Sequence, residues 1–325
     1  MAPWSRWRSA IWFGLALVSI SACNVFDREL PVVDRPDAPS DATSSTDAAL
    51  DAPTDTAGDP PLTCDPTKPF GTAVLVDGLT SSSEDGSLRL SPDEKTAYFF
   101  SARSGHQLLY TASRSRVFDP FDHVAVLANV NTGNQYNPSI TADGLTLFFA
   151  SFRAEGVGDN DIYQATRSTT ATPDFGDVHP APNVNTLSSE VQPYVAHDGT
   201  TLYFNRTVAS RATLFRATGS VAGGFRNAGA ITELVGPLND SDPVPSADGL
   251  TLFWSSDRPN GAGDLDVWQA QRPTTSDPFQ NPAPVVSVNT AGLDAPSDIS
   301  ANGCRLYMTS TRNGRTGIYV ATRPQ

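Results

Sequence analysis

The residues best able to do chemistry recur at long, regular intervals. Asp85, Gln135, Glu190, Asp240 and Asp294 stand 50, 55, 50 and 54 residues apart. Eighteen residues beyond four of them stand Arg103, Arg153, Arg258 and Arg312, and the remaining position holds Val208. Two readings follow. Carboxylates gathered around one axis, at the mouth of a channel, could bind a cation or a basic peptide. Paired with the arginines, whose planar guanidinium suits a carboxylate, they become ion pairs between strands. Their recurrence at equivalent positions favours the structural reading, because acid–base catalysis needs carboxyl groups in unlike surroundings.

Other reactive groups are less organised. Gly-Val-Gly-Asp-Asn-Asp (156–161) and Gly-Ala-Gly-Asp-Leu-Asp (261–266) look superficially like calcium loops. A hard cation takes six to eight oxygens, and no helix–loop–helix calcium spacing follows, so hairpin-ordering turns without a metal are expected. His106, His123, His179 and His197 share no metal-ligand spacing with one another or with a cysteine. They are read as surface or strand residues. There is no Gly-x-Ser-x-Gly nucleophile motif. No cofactor is expected.

The elements that would position these groups are repeats. SPDEKTAYFFSAR (91–103) aligns with TADGLTLFFASFR (141–153), AHDGTTLYFNRTV (196–208), SADGLTLFWSSDR (246–258) and SANGCRLYMTSTR (300–312). Asp-Gly and Asn-Gly are tight-turn signals, because glycine accepts positive φ and Asp or Asn tolerates it. Tyr98, Phe148, Tyr203, Phe253 and Tyr307 follow in runs apolar enough to be buried on both faces. A second aromatic precedes an alanine by two residues in each unit: Tyr110 and Ala112, Tyr163 and Ala165, Phe215 and Ala217, Trp268 and Ala270, Tyr319 and Ala321. Period two puts both on one face, where the alanine lets a neighbouring sheet approach the ring. Phe70, Phe121, Phe175, Phe225 and Phe279 each open a fourth short stretch.

Four strands per unit without helical periodicity mean an all-β protein, and a period near fifty means a propeller. The first Phe stretch precedes the first unit, and the last unit stops after three strands. A five-bladed β-propeller over 67–325 is therefore expected, with a strand at 70–76 completing the last blade and removing the open edges. Cys64 lies just before that strand and Cys304 beside the second strand of the same blade. A disulfide between them would lock the closure; two unrelated thiols are the alternative.

The units resemble the TolB-like, WD40-type propeller repeat. The resemblance rests on the Pro-x-(Ile/Val)-x-x-Asp-Gly-x-x-Leu-(Tyr/Phe)-Phe-x-Ser-x-Arg core and the Asp-(Ile/Val)-(Tyr/Trp)-x-Ala-x-Arg strand. Departures are Val208 and the missing Gly-rich segment in the third unit, Asn302 and a displaced Pro296 in the fifth, and no proline before the inner strand in the first. The resemblance implies an envelope protein partner.

The front of the chain points to export. Arg6 and Arg8 precede the apolar run Ala10 to Ile20, too short to span a bilayer and the length of a signal-peptide core. Ile20-Ser21-Ala22-Cys23 resembles a bacterial lipobox, which implies a signal peptide over 1–22 and a diacylated Cys23. Asn24 instead of Asp favours the outer membrane, with the propeller in the periplasm or at the cell surface. Residues 23–66 are rich in Asp, Ala, Pro, Thr and Ser, with ten acids against two arginines between Asn24 and Thr67. So little apolar surface cannot repay ordering entropy, which predicts a disordered tether with a reach of roughly 35 Å. The whole chain carries −13. That charge argues against nucleic acid and anionic membrane surfaces as partners.

The expected function is a non-enzymatic, monomeric binding or scaffolding module, held to the membrane by its lipid. The alternative is a carbohydrate-active or carbohydrate-binding propeller with funnel carboxylates about 5–9 Å apart.

Overall fold

A computed structural model describes residues 63–325. The expected signal peptide, Cys23 and all but the last few residues of the tether lie outside the described residues.

The strands form five antiparallel four-stranded sheets. β1 (Val74–Leu75) comes first in the chain and belongs to the last blade. Blade one is β2 (Asp85–Leu90), β3 (Thr96–Ser101), β4 (Leu108–Ser113) and β5 (Asp122–Val126). Blade two is β6 (Gln135–Ile140), β7 (Thr146–Ser151), β8 (Asp161–Thr166) and β9 (Gly176–Pro180). Blade three is β10 (Glu190–Val195), β11 (Thr201–Val208), β12 (Arg211–Ser220) and β13 (Gly224–Ala230). Blade four is β14 (Asp240–Pro245), β15 (Thr251–Ser256), β16 (Asp266–Gln271) and β17 (Gln280–Pro284). Blade five is β18 (Asp294–Ile299), β19 (Arg305–Ser310) and β20 (Gly317–Thr322), completed by β1. The innermost strands β2, β6, β10, β14 and β18 contact one another around the axis.

Each recurrent aromatic has a packing reason. Tyr98 meets Phe175 of the next blade at 6.2 Å between ring centroids, and Phe148 meets Phe225 at 5.9 Å. Phe253 of blade four meets Phe70, beside the closing strand of blade five, at 6.2 Å. The five alanines behind these rings are buried and leave room for the adjoining sheet.

The closing strand is shorter than the expected 70–76. Only Val74↔Val320 and Leu75↔Tyr319 pair as a ladder. Single bonds, Gly71 N to Thr322 O and Val76 N to Ile318 O, both 2.9 Å, continue it on either side. The other four outer strands carry a residue at positive φ two places after their phenylalanine: His123, Asp177, Asn227 and Asn281, at 49°, 49°, 54° and 53°. Blade five has Thr72 there, a β-branched residue that resists positive φ. It forms no such bulge.

The structure joins Cys64 to Cys304 in a disulfide across a sequence separation of 240. Asp65 N also donates to Pro324 O at 3.0 Å, and Arg323 donates to Lys68 O while lying 4.0 Å from the Phe70 ring centre.

Candidate functional site

The repeat carboxylates open the innermost strands and are fully used there. Asp85, Glu190, Asp240 and Asp294 are each almost entirely buried. Asp85 pairs with Arg103 at 3.0 Å, Asp240 with Arg258 at 2.5 Å and Asp294 with Arg312 at 2.9 Å. Their second oxygens accept backbone N–H groups from the loop between blades: Ser81 at 2.6 Å, Gly236 at 2.8 Å and Thr290 at 2.5 Å. The same arginines donate to carbonyls of those loops, Leu79, Leu234 and Val288. The acid–arginine pair thus ties the inter-blade loop to its sheet in these blades and gives both carboxylate oxygens protein partners.

Blade three reaches this geometry without arginine at 208. Glu190 pairs with Arg206 at 2.6 Å. The missing Gly-rich segment lets β11 and β12 run on to a two-residue turn, Ala209-Ser210, with φ of 48° and 62°. Residue 206 shares a strand face with 208, so the guanidinium arrives two residues early. Blade two lacks the acid. Gln135 donates to Ser151 Oγ at 3.2 Å, its Oε1 is buried without a partner, and Arg153 bonds Ser151 Oγ and Val130 O.

The Gly-x-Gly-Asp loops are turns held by aspartate. Asp161 Oδ2 accepts from Val157 N at 2.7 Å and Gly158 N at 3.1 Å; Asp266 Oδ2 accepts from Gly263 N at 3.0 Å. A Cβ at Gly156 or Gly261 would lie 2.2 or 1.9 Å from the aspartate, so these positions need glycine. Among the described residues no group of three His, Cys, Asp or Glu side chains is placed to hold a metal. His123 is exposed beside Asp122, and His179 bonds Gln164 and Pro180 O.

The opposite end of the inner strands holds what sequence reasoning missed. A cavity of about 70 Å³ lies on the axis, lined from all five blades, with Arg89, Ser139, Tyr194, His197 and Asp298 among its polar walls. The turn before Cys304 also borders it, so the chain enters the propeller at this face. Four residues after each repeat acid or glutamine, the blades present Arg89, Ser139, Tyr194, Val244 and Asp298, no two alike. Arg89 reaches across the channel to lie 4.4 Å from the Tyr194 ring centre. Tyr194 donates its hydroxyl to Asp298 Oδ1 at 2.9 Å, and Leu90 N donates to Asp298 Oδ2 at 2.8 Å.

Deeper in the channel lie the positions two after the acid. Ser87, Asn137, Gln192 and Asp242 all hold φ between 50° and 57°, a bulge that turns each side chain. Asn137 donates to Ser87 Oγ at 2.9 Å and Gln192 to Asp242 Oδ1 at 2.5 Å, stitching neighbouring blades. Pro296 fills this position in blade five, where its ring forbids positive φ.

Burial raises both channel aspartates, against different hydrogen-bond partners. Burial pushes the Asp298 carboxyl above its usual range, against the pull of Arg89 and of hydrogen bonds from Leu90, Tyr194 and Ile299. Burial also raises Asp242, opposed by the hydroxyls of Ser255 and Ser241 and by Arg89. Burial lowers Arg89, with Asp298, Tyr194 and Asp242 opposing. A carboxyl raised in the fold contributes stability below its unfolded value and loses it as pH rises through the folded one. In a carboxyl-carbon NMR titration Asp298 is expected to show a midpoint above the ordinary 3.8. Arg89→Met should move it higher still; a midpoint unmoved by that change would show that the two charges do not interact.

No family model matches the chain, and no curated protein matches it in sequence. Solved structures match it in fold. The catalytic domain of the Coprinopsis cinerea GH62 α-L-arabinofuranosidase gives a TM-score of 0.53 at 11% identity, covering 79% of this chain and 97% of that one. An α-L-arabinofuranosidase from Podospora anserina gives 0.51 at 12%, covering 80% and 99%. TolB from Acinetobacter baumannii gives 0.47 at 17%, covering 76% of this chain and 56% of its own length. At such identities the likeness is one of fold, and the fold is a five-bladed β-propeller.

Proposed function

We propose that the chain is an exported, lipid-anchored binding module of the bacterial cell envelope, which takes its partner at the axial cavity. The observation carrying this reading is the break in five-fold symmetry at Arg89, Ser139, Tyr194 and Asp298, which line the cavity, with Val244 buried in the core at the fifth equivalent position. The acid–arginine positions that tie each inter-blade loop to its sheet largely repeat, whereas the stitching column of Ser87, Asn137, Gln192, Asp242 and Pro296 does not. Positions that differ in every blade, on an accessible polar cavity, suit recognition of one asymmetric ligand. Fold analogy adds only that propellers host many functions.

Anchoring is tested by fractionation. Cys23→Ser is expected to move the chain from the membrane pellet to the soluble or unprocessed fraction and to abolish palmitate labelling. Undiminished labelling would remove the lipid from the account. Binding is tested by photocrosslinking from the cavity mouth in intact cells, with capture from position 197 expected.

A carbohydrate-active propeller is the second reading, favoured by one observation: Asp242 and Asp298 line the channel in unlike surroundings, both with raised carboxyls. It predicts turnover of an aryl-glycoside panel that Asp298→Asn or Asp242→Asn abolishes. The binding reading predicts no turnover by the unaltered chain.

A further inference from the structure

Arg89 is a buried cation with no carboxylate in ion-pair contact among the described residues, although Asp298 and Asp242 act on it from farther off. Its side chain is only 6% exposed. Its Nη1 donates to Leu88 O at 3.2 Å, and its Nε has no partner. Arg103, Arg206, Arg258, Arg305 and Arg312 each have a carboxylate in contact. Among the described residues Arg89 has none, although an unpaired buried charge is costly.

The nearby acid is held away from that role. Asp298 accepts from Tyr194 and Ile299 on one oxygen and from Leu90 on the other. Arg89 Cζ lies over the Tyr194 ring, 4.4 Å from its centre, and the residue lines the cavity. Ser139 Oγ, on the same cavity wall, accepts from Val195 N at 3.0 Å and keeps its own proton to donate. The Ser139 hydroxyl and the terminal guanidinium N–H groups of Arg89 beyond the one bonded to Leu88 O call for an acceptor from outside. The volume of about 70 Å³ admits a small planar group. Asp298 shares the cavity wall with Arg89, which disfavours a dianion such as phosphate or sulfate more than a monovalent carboxylate.

We propose that the axial cavity is a carboxylate site, in which Arg89 takes a compact monovalent carboxylate from a small organic acid or from the free C terminus of a peptide. The inference deepens the binding-module reading and rests on it for its partner. The two can fail separately: crosslinking from position 197 can succeed with Arg89→Met protein, and carboxylate can bind where no partner is captured.

The test is calorimetry on the full-length chain in detergent, at fixed ionic strength, with sodium acetate, acetamide, sodium phosphate, and a tetra-alanine peptide as free acid and as C-terminal amide. Acetate is expected to bind at one site, at least tenfold more tightly than acetamide. Arg89→Met should weaken it at least tenfold, and Arg89→Lys by a smaller factor, since it keeps the charge and loses the fork. A peptide acid binding more tightly than both its amide and acetate supports the site with a peptide as source; acetate equal or better supports it with a small acid. Acetate no tighter than acetamide, phosphate tighter than acetate, or unchanged binding in Arg89→Met would each overturn the proposal. If Arg89→Met does not fold, the acid–amide comparison in the unaltered chain and Arg89→Lys decides the matter.

Discussion

Cys64→Ser is expected to lower the stability of the propeller by about 5 kcal/mol, which is a fall of about 10–20 °C in the unfolding midpoint. The size follows from the loop. The disulfide joins residues 240 apart, so in the chain-entropy account it removes more freedom from the unfolded chain than a short-loop bond does. It also acts where the ring is weakest. The closing strand has two ladder pairs, both on exposed residues, whereas the other outer strands are five to seven residues long. Phe70, Ala73 and Val76 supply its burial. Calorimetric scans with and without reductant check the effect. Reduction should reproduce the drop in the unaltered chain and do nothing further to Cys64→Ser. Loss of less than 1 kcal/mol would mean that Phe70 and its neighbours close the ring unaided.

The second large effect is at the acid–arginine pairs. Arg312→Met is expected to cost about 3–5 kcal/mol, because it strands the Asp294 carboxylate in a fully buried position. Arg153→Met should cost about 1–2 kcal/mol, since its blade holds Gln135 in place of the acid and only hydrogen bonds and packing are lost. Urea denaturation of the two variants side by side measures the difference. Equal costs would show that the ion pairs do not carry the loops, and would reopen the repeat carboxylates as a binding ring.

The contrast explains what could be read from the sequence. Asp-Gly or Asn-Gly at 143–144, 198–199, 248–249 and 302–303 announces a turn because glycine there sits at φ of 68° to 70°. The rings and alanines announce blades because each must bury against the next sheet. All these signals repeat, so aligning the units sharpens them. The channel behaves in the opposite way. Arg89, Ser139, Tyr194, Val244 and Asp298 disagree in every unit, and alignment averages them into noise. Read down that column, five unlike residues at one structural position are themselves a signal.

Two further details depend on contacts that no repeat pattern encodes. Arg206 replaces the arginine missing at 208 only because β11 is lengthened by its tight turn. Glu94 occupies the place of the turn glycine at φ of 58°, an uncomfortable conformation for its side chain. Its carboxylate binds Arg305 and Tyr307 of blade five, which accounts for a non-glycine residue there. That contact joins the first blade to the last, and no local pattern could have shown it.

The central claim is that the axial cavity, and not the ring of repeat acids, is the working face. The direct measurement is in-cell photocrosslinking from a probe replacing His197 at the cavity wall, beside the same probe replacing His123 on an outer strand. The account predicts one defined protein or peptide adduct from position 197, reduced by Arg89→Met, and none from 123. Recovery of only lipid and the chain itself from 197, or the same adducts from both positions, would contradict it.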